Sequence, residues 1–181
     1  MTIYFPREIF ENDSNSISKL FIHLLNYRIK YSKIMIDHSE KRLEYLCDII
    51  PQLLSSIDEK SFTFKPSTDK WSKKEIIGHL IDSAANNHQR FIRCQFEDNP
   101  VISYDQNKWN AFSHYQQMPK EQLIDFWKHY NKHLAALIEL IPHECLQRTC
   151  KMKEGNVLTL EFLITDYVEH MEHHLKQIVS Y

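Results

Sequence analysis

Residues 71–83 read WSKKEIIGHLIDS, and their start decides how the middle of the chain folds. Ser72 can cap the backbone N–H of Glu75, and Glu75 can reach back to the N–H of Ser72, the reciprocal arrangement that opens a helix. The helix begun there is expected to run to about Phe96, where Asp98-Asn99-Pro100 ends it. The stretch carries one histidine, His79, whose role it does not itself explain.

The same pattern of helix starts and proline stops extends outward. From Glu40, EKRLEYLCDIIPQLLSSI sets Leu43, Leu46, Ile50, Leu53, Leu54 and Ile57 on one helical stripe. Pro51 falls inside this stripe and is expected to kink or break it near Ile50. Pro119 opens a second long stripe through Leu123, Phe126, Trp127, Tyr130, Leu134, Leu137 and Ile141, and Pro142 stops it. A short linker containing KMKEGN leads to a last helix over roughly Thr159 to Val179. Four principal helices with modest connections predict an all-α antiparallel four-helix bundle with an extra N-terminal helical or irregular segment. Residues 1–35 are expected to form an N-terminal extension, with Met35 an alternative natural start, and residues 36–181 the helical-bundle domain.

Composition supports that class. The 181 residues suffice for one domain with a core, and only 2 glycines argue against a sheet protein rich in tight turns. A net charge of −2, with Lys and Arg spread along the chain, offers no basic stripe for nucleic-acid phosphates. No apolar run is long enough to cross a membrane. The four cysteines lack C-x-x-C spacing and no secretory leader precedes them, so reduced thiols in a cytoplasmic protein are expected. Cys94 and Cys145 have no basic partner at motif spacing, so a protein thiol nucleophile is not expected.

The last helix holds the densest chemistry, DYVEHMEHHLKQI over 166–178. At about 100° per residue, Tyr167, His170 and His174 fall within about 40° of Leu163, whereas His173 lies about 80° aside. Two imidazoles one turn apart on an inward stripe are costly unless hydrogen-bonded or liganded. Such a pair either aims two ring nitrogens at one metal ion, with His79 the natural candidate for a third ligand, or merely packs and hydrogen-bonds in the bundle. The pair His129 and His133 lies beside its stripe and reads as surface. Ser83, Asn86 and Arg90 form a polar row next to His79, either solvated or lining a cleft where Asn86 and Arg90 touch a substrate anion. Asp82, one turn beyond His79, is either a plain surface acid or the carboxylate that orients a ligand or takes a proton. Tyr167 either packs in the core or donates to a substrate oxyanion.

KPSTDKWSKKEIIGHLIDSAANNHQRF followed by DYVEHMEHHLKQI resembles the DinB-like superfamily of four-helix metal proteins, over roughly Glu40 to the C-terminus. The resemblance implies a divalent ion, nickel or zinc, held by His79, His170 and His174. It further implies a metal-dependent hydrolase, or a transferase using a low-molecular-weight thiol, acting on a small molecule, and a homodimer. A non-catalytic metal-binding stress or accessory protein is the alternative.

Overall fold

The computed structural model describes residues 13–153 and 155–181. In chain order it contains α1 (Asp13–Ser55), α2 (Glu59–Thr63), α3 (Lys73–Arg93), α4 (Gln106–Phe112), α5 (Lys120–Leu140), β1 (Thr149–Lys151), β2 (Val157–Thr159) and α6 (Leu160–Leu175). Residues 1–12 of the expected N-terminal extension lie outside the described residues. From Asp13 onward the chain is one helix that crosses position 35 without interruption.

Pro51 does not break α1, which stays helical to Ser55. A helical proline removes only the bond to the carbonyl four residues back, here that of Cys47, and Pro51 stands close to the helix end, where few later bonds are at stake. Fully buried Leu43, Leu46, Ile50 and Leu54 flank it on the core side. Each such side chain contributes about 1.5–3 kcal/mol on burial, enough to offset one lost hydrogen bond.

The four long helices form an all-α bundle in which α5 lies between α1 and α3, and α6 closes the ring between α3 and α1. Asp48 pairs with Lys132 and Ser55 with Glu121, so α1 and α5 run antiparallel. Lys73 reaches the Ile178 carbonyl while His79 meets His170, which makes α3 and α6 antiparallel as well. The remaining neighbours run in the same direction. Tyr31 and Met35 flank Phe162 and Thr165 while Arg42 pairs with Glu172, and Ile81 lies by Leu123 while His88 bonds Tyr130. The core between them is built on Trp127, Tyr167, Phe91, Leu134 and Ile77, all nearly inaccessible to solvent.

The start of α3 is fixed as its sequence predicts. Ser72 Oγ accepts from the Glu75 N–H at 3.1 Å, and Glu75 Oε2 accepts from the Ser72 N–H at 2.8 Å. Gln116 also donates to Ser72 Oγ at 2.7 Å, and Lys65 pairs with Glu75 at 2.9 Å. The cap is thus tied to two other segments, which sets the depth at which α3 enters the bundle.

The linker before α6 contains a short two-stranded ribbon. β1 and β2 pair antiparallel with Cys150 opposite Leu158, and Gly155 takes a positive φ of 91° in the turn. Val101 bridges to Lys151, which anchors the connection after α3 to this ribbon. That anchoring positions the 101–105 segment over the side of α3 that carries Arg90, whose Nη2 donates to the Ile102 carbonyl.

Candidate metal centre

His79 lies two turns into α3 and is 1 % exposed. His170 and His174 sit one turn apart on α6, both half-buried, and the antiparallel packing of the two helices brings all three rings together. His79 Nε2 and His170 Nε2 are 3.3 Å apart. The ring centroids of His79 and His174 are 4.9 Å apart and those of His170 and His174 4.6 Å apart, each pair edge-on. One nitrogen from each ring lies within 4.8 Å of the others. Two ligands about 2.05 Å from a tetrahedral ion are themselves about 3.3 Å apart, so the His79–His170 spacing already matches a shared ion.

The protonation of the cluster suits a cation as well. Burial, followed by the neighbouring His170 and His174, pushes the His79 imidazole down to about 3. Burial with His170 and His173 lowers His174 to about 4, and burial lowers His170 too. All three rings are therefore neutral near pH 7, the form that ligates metal. His79 Nδ1 and His174 Nδ1 are buried with no hydrogen-bond partner, a cost that a bound ion or its ordered surroundings would relieve. His174 also stands in the last turn of α6, whose negative end favours a cation. The three residues fit a divalent ion.

His173 is exposed and bonds Gln177, outside the cluster, in keeping with its place on the helical wheel. His129 and His133 are likewise exposed, His133 lying edge-on to His88.

A cavity of about 180 Å³ opens beside His79 and His170. Ser83, Asn87, Arg90, Tyr104, Gln106, Asp166 and Tyr167 complete its wall. Arg90 stands where the polar row predicts, but the neighbouring amide belongs to Asn87. Asn86 is buried and donates to the Asp82 carbonyl of its own helix at 2.9 Å. The crossing of α6 over α3 rotates the cavity toward the row of Ser83 and Asn87, a shift of one residue that periodicity alone does not fix.

The Tyr167 hydroxyl donates to Asn131 Oδ1 in the core, and burial raises it well above the ordinary tyrosine range. Tyr167 thus contributes its ring to the cavity wall while its hydroxyl is committed elsewhere. Asp82 is buried rather than on the surface, accepts from the Tyr115 hydroxyl at 2.5 Å and lies outside the histidine cluster. Burial lifts its carboxyl to about 6, against the opposing bond from Tyr115. Its charge reaches the cavity through Tyr104, whose hydroxyl is pushed up to about 12 by burial and then by Asp82.

Tyr104 and Gln106 have no motif to announce them, since Tyr104 lies in the connection between α3 and α4 and Gln106 is the first residue of α4. Trp71 covers the opposite side of His79, ring centroids 4.9 Å apart. Beyond Trp71 lies a larger cleft of about 640 Å³, floored by Phe64, Pro66 and Ile76, which none of the three histidines lines. Burial raises the thiols of Cys47 and Cys94 to about 12, which removes them as nucleophiles.

A family model described as the DinB superfamily matches residues 42–178. The chain belongs to that superfamily. It is 27% identical over 139 residues to a protein from Halalkalibacterium halodurans named as a candidate metal-dependent hydrolase, covering 76% of this chain and 81% of that one. A similarly named protein from Oceanobacillus iheyensis is 25% identical over 150 residues, covering 82% of this chain and 87% of the other. Among solved structures the fold matches YfiT from Bacillus subtilis, described as a probable metal-dependent hydrolase with an unusual four-helix bundle topology. The TM-score is 0.73 at 19% identity, over 97% of this chain and 89% of that chain. It also matches a mycothiol-dependent maleylpyruvate isomerase, with a TM-score of 0.66 at 12% identity, over 80% of this chain and 61% of that chain. Among the described residues no helix is long and apolar enough to cross a membrane.

Proposed function

We propose that this DinB superfamily member is a metal-dependent enzyme in which His79, His170 and His174 hold a nickel or zinc ion and a small molecule reacts in the adjoining cavity. The observation that carries this reading is the convergence of three neutral imidazoles, their ligand atoms within 4.8 Å of one another, beside a polar cavity. A structural site is usually closed by four protein ligands, whereas three leave a position open. When bound, such an ion supplies Lewis acidity and lowers the pKa of a water or thiol brought to it.

The chain's own residues supply the rest. The α3 and α6 backbones fix the three rings, Trp71 shields His79 on one side, and the cavity leaves access on the other. Ser83, Asn87, Tyr104 and Gln106 offer neutral hydrogen bonds that orient a bound molecule. Asp82 is a positioning residue that acts on Tyr104 by charge. The raised Cys47 and Cys94 thiols turn the choice to hydrolysis, or to transfer involving a low-molecular-weight thiol that enters as co-substrate. The names of the sequence relatives favour hydrolysis. The homodimer belongs to the same reading, and light scattering of the purified protein tests it.

The test is a turnover screen of nickel- and zinc-loaded protein against esters, amides and electrophilic thiol acceptors, with and without bacillithiol, mycothiol or glutathione. The reading expects turnover that disappears in His79→Ala. No turnover at confirmed metal occupancy would leave the accessory metal-binding role instead.

A further inference from the structure

The cavity beside His79 and His170 contains one fixed positive charge, that of Arg90, and none of the carboxylates among the described residues is within ion-pair distance of it. Arg42 and Arg93, by contrast, pair with Glu172 and Glu97, and Arg148 donates to the Cys94 and Glu97 carbonyls. Arg90 Nη1 donates to Asn87 Oδ1 at 3.1 Å, and Nη2 to the Ile102 carbonyl at 3.2 Å. Those two bonds hold the plane of the guanidinium, but a guanidinium has five N–H groups. Nε is buried without a partner. One N–H on each terminal nitrogen is left over, and those are the donors that a ligand in the cavity would complete.

Charge bookkeeping points the same way. Three neutral imidazoles do not neutralise a divalent ion, so its two charges add to that of Arg90 against the exposed carboxylate of Asp166 at the rim and the buried one of Asp82 that acts on Tyr104. A narrow cavity with that balance attracts an anion. The volume of about 180 Å³ and the planar fork of the guanidinium suit a carboxylate on a small chain. His79 and Arg90 are about 16 Å apart along α3 by helical rise, with the guanidinium turned back toward Asn87. The carboxylate and the atom on the ion are therefore several bonds apart, with the neutral groups of Ser83, Asn87, Tyr104 and Gln106 alongside.

We propose that Arg90 is a specificity-determining residue that selects small carboxylate-bearing molecules, whose other end meets the ion held by the three histidines. This rests on the metal reading given above and names its substrate class.

Cobalt-loaded full-length protein, titrated with ω-mercapto carboxylic acids from mercaptopropionate to mercaptooctanoate and with the primary amide of each, tests it. The thiolate-to-cobalt charge-transfer band reports binding without any turnover. At one or more chain lengths the acid binds about tenfold or more tightly than its amide, and Arg90→Gln removes the difference while keeping cobalt stoichiometry and amide affinity. Equal affinities for acid and amide at every length overturn the proposal, as does a preference that survives in Arg90→Gln. The acid–amide comparison is made on the unmutated protein, so a poorly folding Arg90→Gln does not remove the test. Failure of the metal reading looks different: cobalt is not taken up, or is taken up equally by His79→Ala, and the proposal falls with it.

Discussion

His79 Nε2 and His170 Nε2 lie 3.3 Å apart although their residues come from opposite halves of the chain. Two neutral imidazoles at that distance share at most one proton, and among the described residues no carboxylate joins them in the cluster. The contact is held by the antiparallel packing of α3 on α6, which also brings His174 into place.

Metal-free protein should lose stability on acidification. The folded-state pKa of His79, about 3, lies below its ordinary value near 6.5, so the unfolded chain takes up the proton first. The stability tied to the neutral ring is complete above about pH 6.5 and is lost as pH falls toward 3; His170 and His174 act in the same direction. Asp82 opposes them, because burial raises its pKa to about 6 and the folded state takes up its proton first. Three histidines outweigh one carboxyl. Urea unfolding at about pH 7.5 and about pH 5 should show a loss of about 2 kcal/mol, discounted for the partial exposure of His170 and His174. Asp82→Asn should be more stable than the parent by about 1 kcal/mol at the higher pH and show a larger loss. An unchanged midpoint across that range would contradict the buried neutral cluster.

Gly78 is held by packing rather than by backbone conformation. A Cβ there would overlap the ring of Tyr115, which is buried and bonded to Asp82 and so cannot swing aside. Gly78→Ala should therefore destabilise by about 1–3 kcal/mol despite the better helix propensity of alanine. Thermal unfolding decides it, since a rise in Tm would mean that the ring yields.

Tyr167 separates packing from catalysis. Tyr167→Phe leaves the buried Asn131 oxygen without its donor and should cost about 1–3 kcal/mol. Metal content and turnover should stay within about twofold of the parent. A fall of about a hundredfold in kcat with metal retained would give the hydroxyl a place in the reaction instead.

The sequence was most informative where signals are local or periodic. Ser72 and Glu75 mark the start of α3 within four residues, Pro119 and Pro142 bracket α5, and the wheel of α6 separates His170 and His174 from His173. Features set by tertiary contact were not legible. Whether Pro51 ends α1 depends on the burial of Ile50 and Leu54, and the β1–β2 ribbon has strands too short for alternation to register. The parallel neighbours α1–α6 and α3–α5 follow from how the connections cross the bundle. Asn87 rather than Asn86 lines the cavity because α6 crosses α3 at one angle among several available. Tyr104 and Gln106 enter from a connection and a helix start with no motif, placed by the Ile102 carbonyl on Arg90 and by the Val101 bridge to Lys151.

The most direct measurement is the metal content of untagged protein dialysed against nickel or zinc, determined by plasma mass spectrometry for the parent and for single alanine variants. The account predicts about one ion per chain in the parent and in His173→Ala, and near-complete loss in His79→Ala, His170→Ala and His174→Ala with helical content retained. Full occupancy in His79→Ala, or equal loss in His173→Ala, would contradict it.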